Sequence, residues 1–193
     1  MKPSAIVQWN EIQGYLYPQE GDYLFVLASE LNPGDIAVEL GALQGRSTTA
    51  IALGCKESGA RLHTVDTFLG SFEHQVDPNI PQPDPNILVS NLQKVGVAEW
   101  VNVIRSDTLS AVKDFADNSI SLLFVDAAHE YEAVLADLIN WFPKVKAGGD
   151  IVCHDIGTGI WIDVDKAVEE FSRRYPVERV KVEVTACHLK KLQ

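Results

Sequence analysis

The stretch AVELGALQGRSTTAIAL, residues 37–53, decides how this chain is read. Ile36, Ala37 and Val38 form an apolar run closed by Glu39, glycines follow at Gly41 and Gly45, and Ile51 and Leu53 continue a helical pattern that stops at Gly59. The order is strand, glycine turn, helix, with Ser47 and Thr48 as candidate helix caps. Gly41 and Gly45 would let the backbone approach a ligand closely, and Glu39 places an acceptor at the C-terminal edge of the strand, where open α/β sheets bind ligands. Spacing excludes two neighbouring motifs. A phosphate loop ends in Gly-Lys-Ser/Thr, whereas Gly45-Arg46-Ser47 stands here, and the G-x-G-x-x-G of a dinucleotide fingerprint is absent.

The whole chain narrows the class. Its 193 residues, 46% apolar, are enough for one globular domain with a substantial core, and a mean hydropathy of -0.01 argues against disorder. A net charge of -11 and a pI near 4.8 disfavour a nucleic-acid partner, because no basic stripe appears outside the short Lys190-Lys191 tail. Cys55, Cys153 and Cys187 are odd in number and scattered, so they read as reduced core residues rather than a disulfide or zinc framework. No run of 18 apolar residues and no apolar leader occurs, so the expectation is a cytoplasmic protein with no membrane partner. Homo-oligomer formation is left open.

Apolar strand-like runs at 36–39, 62–66, 101–105, 120–126 and 149–154 alternate with helical patterns, which is the signature of an α/β fold on a mostly parallel sheet. Tyr131, Val134, Leu135, Leu138, Ile139 and Phe142 recur at helical spacing, as do Val164, Val168 and Phe171 in a second helix over 163–175. Residues 177–184 alternate like a half-exposed strand and suit an antiparallel C-terminal edge. No hairpin turn is evident between Val180 and Leu189, so an abbreviated edge is expected. The N-terminal segment, 1–31, ends in a helix over 20–31. Pro78, Pro81, Pro83 and Pro85 exclude a helix or central strand from 68–86, which reads as a loop or lid over the sheet edge.

Parallel strands bring Glu39, Asp66, Asp107 and Asp126 to one rim, since each closes an apolar run. Asp66, one βα unit after the glycine loop, suits both hydroxyls of a ribose; the alternative is a solvated loop acid. Asp107 either accepts from an adenine amino group or caps the helix that begins near Leu109.

Five segments in series carry a resemblance: ELGALQGRST (39–48), TVDTF (64–68), RSD (105–107), FVDAAHEYE (124–132) and AGGDIVCHD (147–155). Together they resemble class I S-adenosylmethionine-dependent methyltransferases of the family 24 type, over about 20–171. The resemblance implies a Rossmann-like, doubly wound sheet of seven strands and S-adenosylmethionine as cofactor. It implies that the methionine end lies near Glu39, Gly41, Gly45 and Ser47, the ribose at Asp66 beside Thr67, and the adenine near Ser106 and Asp107. Asp126 would then stand beside the transferable methyl group.

On that reading Asp126 and His129 are the catalytic candidates, with His129 in the first turn of the next helix. A helix N-terminus favours the neutral imidazole that a general base requires. The alternative is that His129 caps the helix or bonds Asp126. Cys153-His154-Asp155 closes the next strand, and adjacent strands about 4.8 Å apart would let Asp126, His154 and Asp155 share a divalent metal such as magnesium. His154 stands where related metal-dependent O-methyltransferases carry a further oxygen ligand, which would suit manganese, zinc or iron instead. Trp161 is a candidate pocket residue. The expected reaction is O-methylation of a small-molecule acceptor of the sugar or natural-product type. The competing readings are an NAD-type oxidoreductase and a noncatalytic cofactor-binding protein of the same fold.

Overall fold

In the computed structural model, which describes residues 9–193, the apolar runs become strands β1 (Ile36–Leu40), β2 (Arg61–Asp66), β3 (Val101–Arg105), β4 (Ile120–Val125) and β5 (Val145–Cys153). Two further strands, β6 (Val177–Glu183) and β7 (Ala186–Lys191), complete a seven-stranded sheet of order β3-β2-β1-β4-β5-β7-β6. The first five pair in parallel, and β7 runs against both of its neighbours. The order reverses between β1 and β4, which opens a crevice beyond their C-terminal ends. All six residues of β4 are buried and all but Ser121 are apolar, the near-continuous apolar run expected of a central strand covered on both faces.

Helices α1 (Pro18–Ser29), α2 (Arg46–Ser58) and α4 (Pro85–Val95) cover one face. Leu24, Phe25, Ile51, Leu88 and Leu92 pack there against Leu62, Phe124 and Val152. The other face takes α6 (Tyr131–Trp141) and α7 (Ile162–Arg174), whose Val134, Leu138, Trp141, Val168 and Phe171 meet Val38, Leu40, Leu123 and Leu189. A one-turn helix, α5 (Thr108–Ala111), follows β3.

Two expectations are corrected. The proline-rich stretch carries a short helix, α3 (Phe72–Val76), placed ahead of Pro78, and its end starts α4. Asp84 caps α4 by accepting from Asn86 N, and Pro85 occupies the first helical position, where a proline loses no hydrogen bond. The C-terminal edge is also complete rather than abbreviated. Its hairpin turns at Val184-Thr185, with Val184 in the left-handed region at φ +54°, a conformation a β-branched residue rarely adopts. What holds the turn is remote in sequence: the Thr185 N–H and hydroxyl both donate to Glu20 Oε1, at 2.7 and 2.6 Å.

Candidate active site

The glycine turn joins two loops of the site. Gly41 sits at φ +90°, and a Cβ there would fall 2.2 Å from the Asp126 carbonyl oxygen. Its bare backbone therefore lets the β1 and β4 loops close on each other. Gly45, in the left-handed region, is itself the N-cap of α2. Ser47 and Thr48 are not caps: their hydroxyls donate to Glu39 Oε1 and Oε2, each at 2.6 Å, and Thr64 adds a third bond of 2.6 Å. Glu39 is fully buried behind the cavity wall, so it braces the loop from beneath. Burial pushes its carboxyl up to about 7, against the three hydroxyl bonds, with Asp126 adding to the rise.

Asp66 ties the neighbouring loops together. Its Oδ2 accepts from Ala42 N at 2.8 Å and Leu43 N at 3.1 Å, and its Oδ1 accepts from Phe68 N at 2.7 Å. Leu43, Phe68 and Asp155 all have positive φ, so the loops after β1, β2 and β5 each hold one residue in a sparsely populated conformation. Arg46, the residue that rules out a phosphate loop, reaches back to the N-terminal segment. It donates to the carbonyls of Leu16, Asn10 and Ile12 at 2.9, 2.9 and 2.7 Å.

These loops surround a cavity of about 770 Å³. Gly41, Ser47, Asp66, Thr67, Ser106, Asp107 and Asp126 line it together with His129, His154 and Asp155, whereas Glu39 and Gly45 do not. Tyr15 and Tyr17, His74, Ile80 and Pro83 of the proline-rich stretch, and Ile160 and Trp161 complete the wall. Asp107 is the N-cap of α5, accepting from Ser110 N at 2.8 Å, and that bond with the Ser110 hydroxyl holds its carboxyl low.

At the β4–β5 end, charged groups are packed closely. His129 lies two residues before the first residue of α6 rather than within its first turn. Its partner is Asp155, with Nε2 3.0 Å from Oδ2, and its ring stacks on Trp161 at a centroid distance of 4.1 Å. His154 is 5% exposed and is gripped from both sides. Its Nε2 lies 3.0 Å from Glu20 Oε2, and its Nδ1 lies 3.3 Å from Asp126 Oδ1 and 3.5 Å from Asp155 Oδ2. Burial opposes a charge on His154, but the three surrounding carboxylates raise its pKa well above the usual value. Burial likewise opposes charge on Asp155, yet His129 and His154 hold its carboxyl far below the ordinary range. Glu20 escaped the sequence reading, because its partners His154 and Thr185 lie 134 and 165 residues away and no local pattern marks them.

Residues 38–156 match the family described as a methyltransferase domain, of the family 24 type. This chain belongs to that family. Its strand order and crevice are those of the class I methyltransferase fold, and the nicotinamide alternative falls away. A catechol O-methyltransferase of Mycobacterium tuberculosis is 26% identical over 159 residues, covering 81% of this chain and 64% of that protein. An uncharacterized protein of Sinorhizobium fredii is 32% identical over 80 residues, 39% of this chain and 8% of its own length. The chain thus spans less than two thirds of either curated relative. The fold recurs in the cofactor-bound Rv0187 protein from MTB, at a TM-score of 0.71 and 18% identity over 98% of this chain and 88% of that one. It recurs also in an O-methyltransferase from Bacillus cereus in complex with SAH, at 0.69 and 17% over 100% and 92%. Among the described residues of this methyltransferase-family chain, no helix is long and apolar enough to cross a membrane.

Proposed function

We propose that this chain transfers a methyl group from S-adenosylmethionine to a hydroxyl oxygen of a small molecule, with His129 as the general base. The observation that carries this reading is the placement of His129 on the cavity wall, held between Asp155 and Trp161, on the same rim as Asp126 and the Gly41–Ser47 loop. Methyl transfer is a direct displacement: the acceptor oxygen attacks the methyl carbon as the carbon–sulfur bond breaks and sulfur keeps the electron pair. The hydroxyl proton goes to the imidazole, and the Asp155 carboxylate stabilises the imidazolium formed there. Most of the acceleration then comes from holding the oxygen, carbon and sulfur in line within the cavity. The catechol O-methyltransferase relationship and the Bacillus cereus O-methyltransferase fold support an oxygen acceptor. The aromatic and apolar wall of Tyr15, Tyr17, Ile80 and Trp161 supports an acceptor with a ring to cover.

The donors also fit a divalent ion. One atom each from Asp126, His154 and Asp155 lie within 4.8 Å of one another. With its Nε2–H donated to Glu20, a neutral His154 would offer Nδ1 toward the two carboxylates, the arrangement in which a carboxylate behind an imidazole orients a metal ligand. A mixed nitrogen and oxygen set suits manganese, zinc or iron better than magnesium. Such an ion would lower the pKa of the acceptor hydroxyl.

The test is transfer of a labelled methyl group from S-adenosylmethionine to a panel of phenols, catechols, glycosides, amines and carbon acids. Labelled methyl ethers that disappear in His129→Gln would bear the reading out. A wild-type protein that binds cofactor but labels no hydroxyl in the panel, while labelling amines or carbon acids, would overturn it.

A further inference from the structure

Beyond β3 the cavity is lined by Ser106, Asp107 and Thr108 and by Ala133, Ala136 and Asp137 of α6. The acid that the sequence points to here, Asp107, is engaged in capping α5. A second acid faces the same space. The buried stripe of α6 consists of Val134, Asp137, Leu138 and Trp141, so an aspartate occupies one of four positions that otherwise pack apolar side chains. Asp137 is 4% exposed and lines the cavity.

The Thr108 hydroxyl donates to Asp137 Oδ1, and no other hydrogen bond or ion pair from the described residues reaches this carboxylate. Burial pushes its carboxyl up to about 6, with Asp107 adding to the rise and Thr108 opposing it. Burying an acid with one hydroxyl partner is costly, and packing alone would favour an apolar residue in that stripe. The missing hydrogen-bond donor is most simply supplied by whatever fills the cavity.

We infer that Asp137 reads the base of the cofactor, its carboxylate accepting the 6-amino group of adenine while Thr108 fixes its orientation. This rests on the proposed S-adenosylmethionine reading. Adenine presents a donor at position 6, whereas hypoxanthine presents an acceptor there, and a carboxylate that accepts the first repels the second. Asp137 is thus a specificity residue distinct from the loop acids, and it works from the helix after β4.

Calorimetry with S-adenosylhomocysteine and S-inosylhomocysteine tests this on the full chain. The wild type should prefer the adenosyl form by roughly 10- to 100-fold. In Asp137→Asn the amide can turn either its oxygen or its nitrogen toward the base, so the preference should shrink to within about threefold. The ratio is taken within one protein, so a uniform loss of folded material does not move it. As a variant-free check, the purine analogue that lacks the 6-amino group should bind wild type weaker by a similar factor. An Asp137→Asn ratio equal to that of the wild type, or a purine analogue that binds as well as the adenosyl form, overturns the assignment alone. Failure of the wild type to bind any of the three overturns the cofactor reading and the assignment with it.

Discussion

His129 Nε2 and Asp155 Oδ2 lie 3.0 Å apart, joining the loop after β4 to the loop after β5 on the cavity wall. Such a pair fixes the ring and stabilises its protonated form during turnover. His129→Gln should therefore lower kcat by about 10²- to 10⁴-fold while leaving S-adenosylhomocysteine affinity within about threefold of wild type. Steady-state kinetics beside calorimetry reads both numbers, and a full kcat in the variant would remove His129 from the chemistry.

Divalent-metal binding should release a proton. The three carboxylates keep His154 protonated well above its usual range, and an ion can take Nδ1 only after that proton leaves. Affinity for manganese or zinc should accordingly weaken as the pH falls, and the binding heat should depend on the ionisation enthalpy of the buffer. A buffer-independent heat, or undiminished affinity in His154→Phe, would exclude the imidazole as a ligand.

The same cluster makes stability depend on pH in a defined direction. The folded pKa of His154 is raised, so its stabilisation is complete below the unfolded value of about 6.5 and is lost as the pH rises through the folded one. Glu20 is shifted down, so its share is present above its unfolded value and is lost on acidification. Replacing Glu20 by Gln leaves a buried cation short of one partner and loosens the Val184-Thr185 turn, and should cost on the order of 3–5 kcal/mol at neutral pH. Chemical denaturation at pH 7 checks this; a loss below about 1 kcal/mol would show the cluster to be dispensable.

Glu39 predicts a stabilising substitution. Its carboxyl is pushed up to about 7, so the protonated form is favoured in the folded state and stability falls as the pH climbs from the unfolded value through the folded one. Glu39→Gln removes that penalty. The stability of the variant relative to wild type should rise between pH 5 and pH 8, by about 3 kcal/mol at most. A difference that stays flat with pH would mean that Glu39 ionises normally.

Gly41→Ala places a Cβ 2.2 Å from the Asp126 carbonyl oxygen on a backbone already at φ +90°. The loops after β1 and β4 must then separate, so both melting temperature and S-adenosylhomocysteine affinity should drop. Thermal denaturation and calorimetry on one preparation would show it.

The parallel core of the sheet was legible because β1, β2, β3 and β4 are short, apolar-rich runs bounded by turn residues, a pattern that depends only on neighbours in sequence. The helix α4 was obscured because Pro85 reads as a breaker, and only the Asp84 cap reveals it as a first-turn proline. The final hairpin was missed because Val184-Thr185 carries none of the usual turn residues and depends on Glu20 from the far end of the chain. At the site the residue types were legible and their duties less so. Glu39 and Asp107 stand where a ligand-binding acid is expected, yet Glu39 holds three hydroxyls and Asp107 caps a helix. Asp137 went unseen because an acid within an amphipathic pattern reads as a surface position until the buried stripe of α6 is known.

The most direct test is titration of the purified wild-type chain with S-adenosylhomocysteine by calorimetry. The account predicts saturable binding at one site per chain, with a Kd on the order of micromolar, weakened at least about tenfold in Asp66→Ala. The absence of any binding heat, or saturable binding of a nicotinamide dinucleotide in its place, would contradict it.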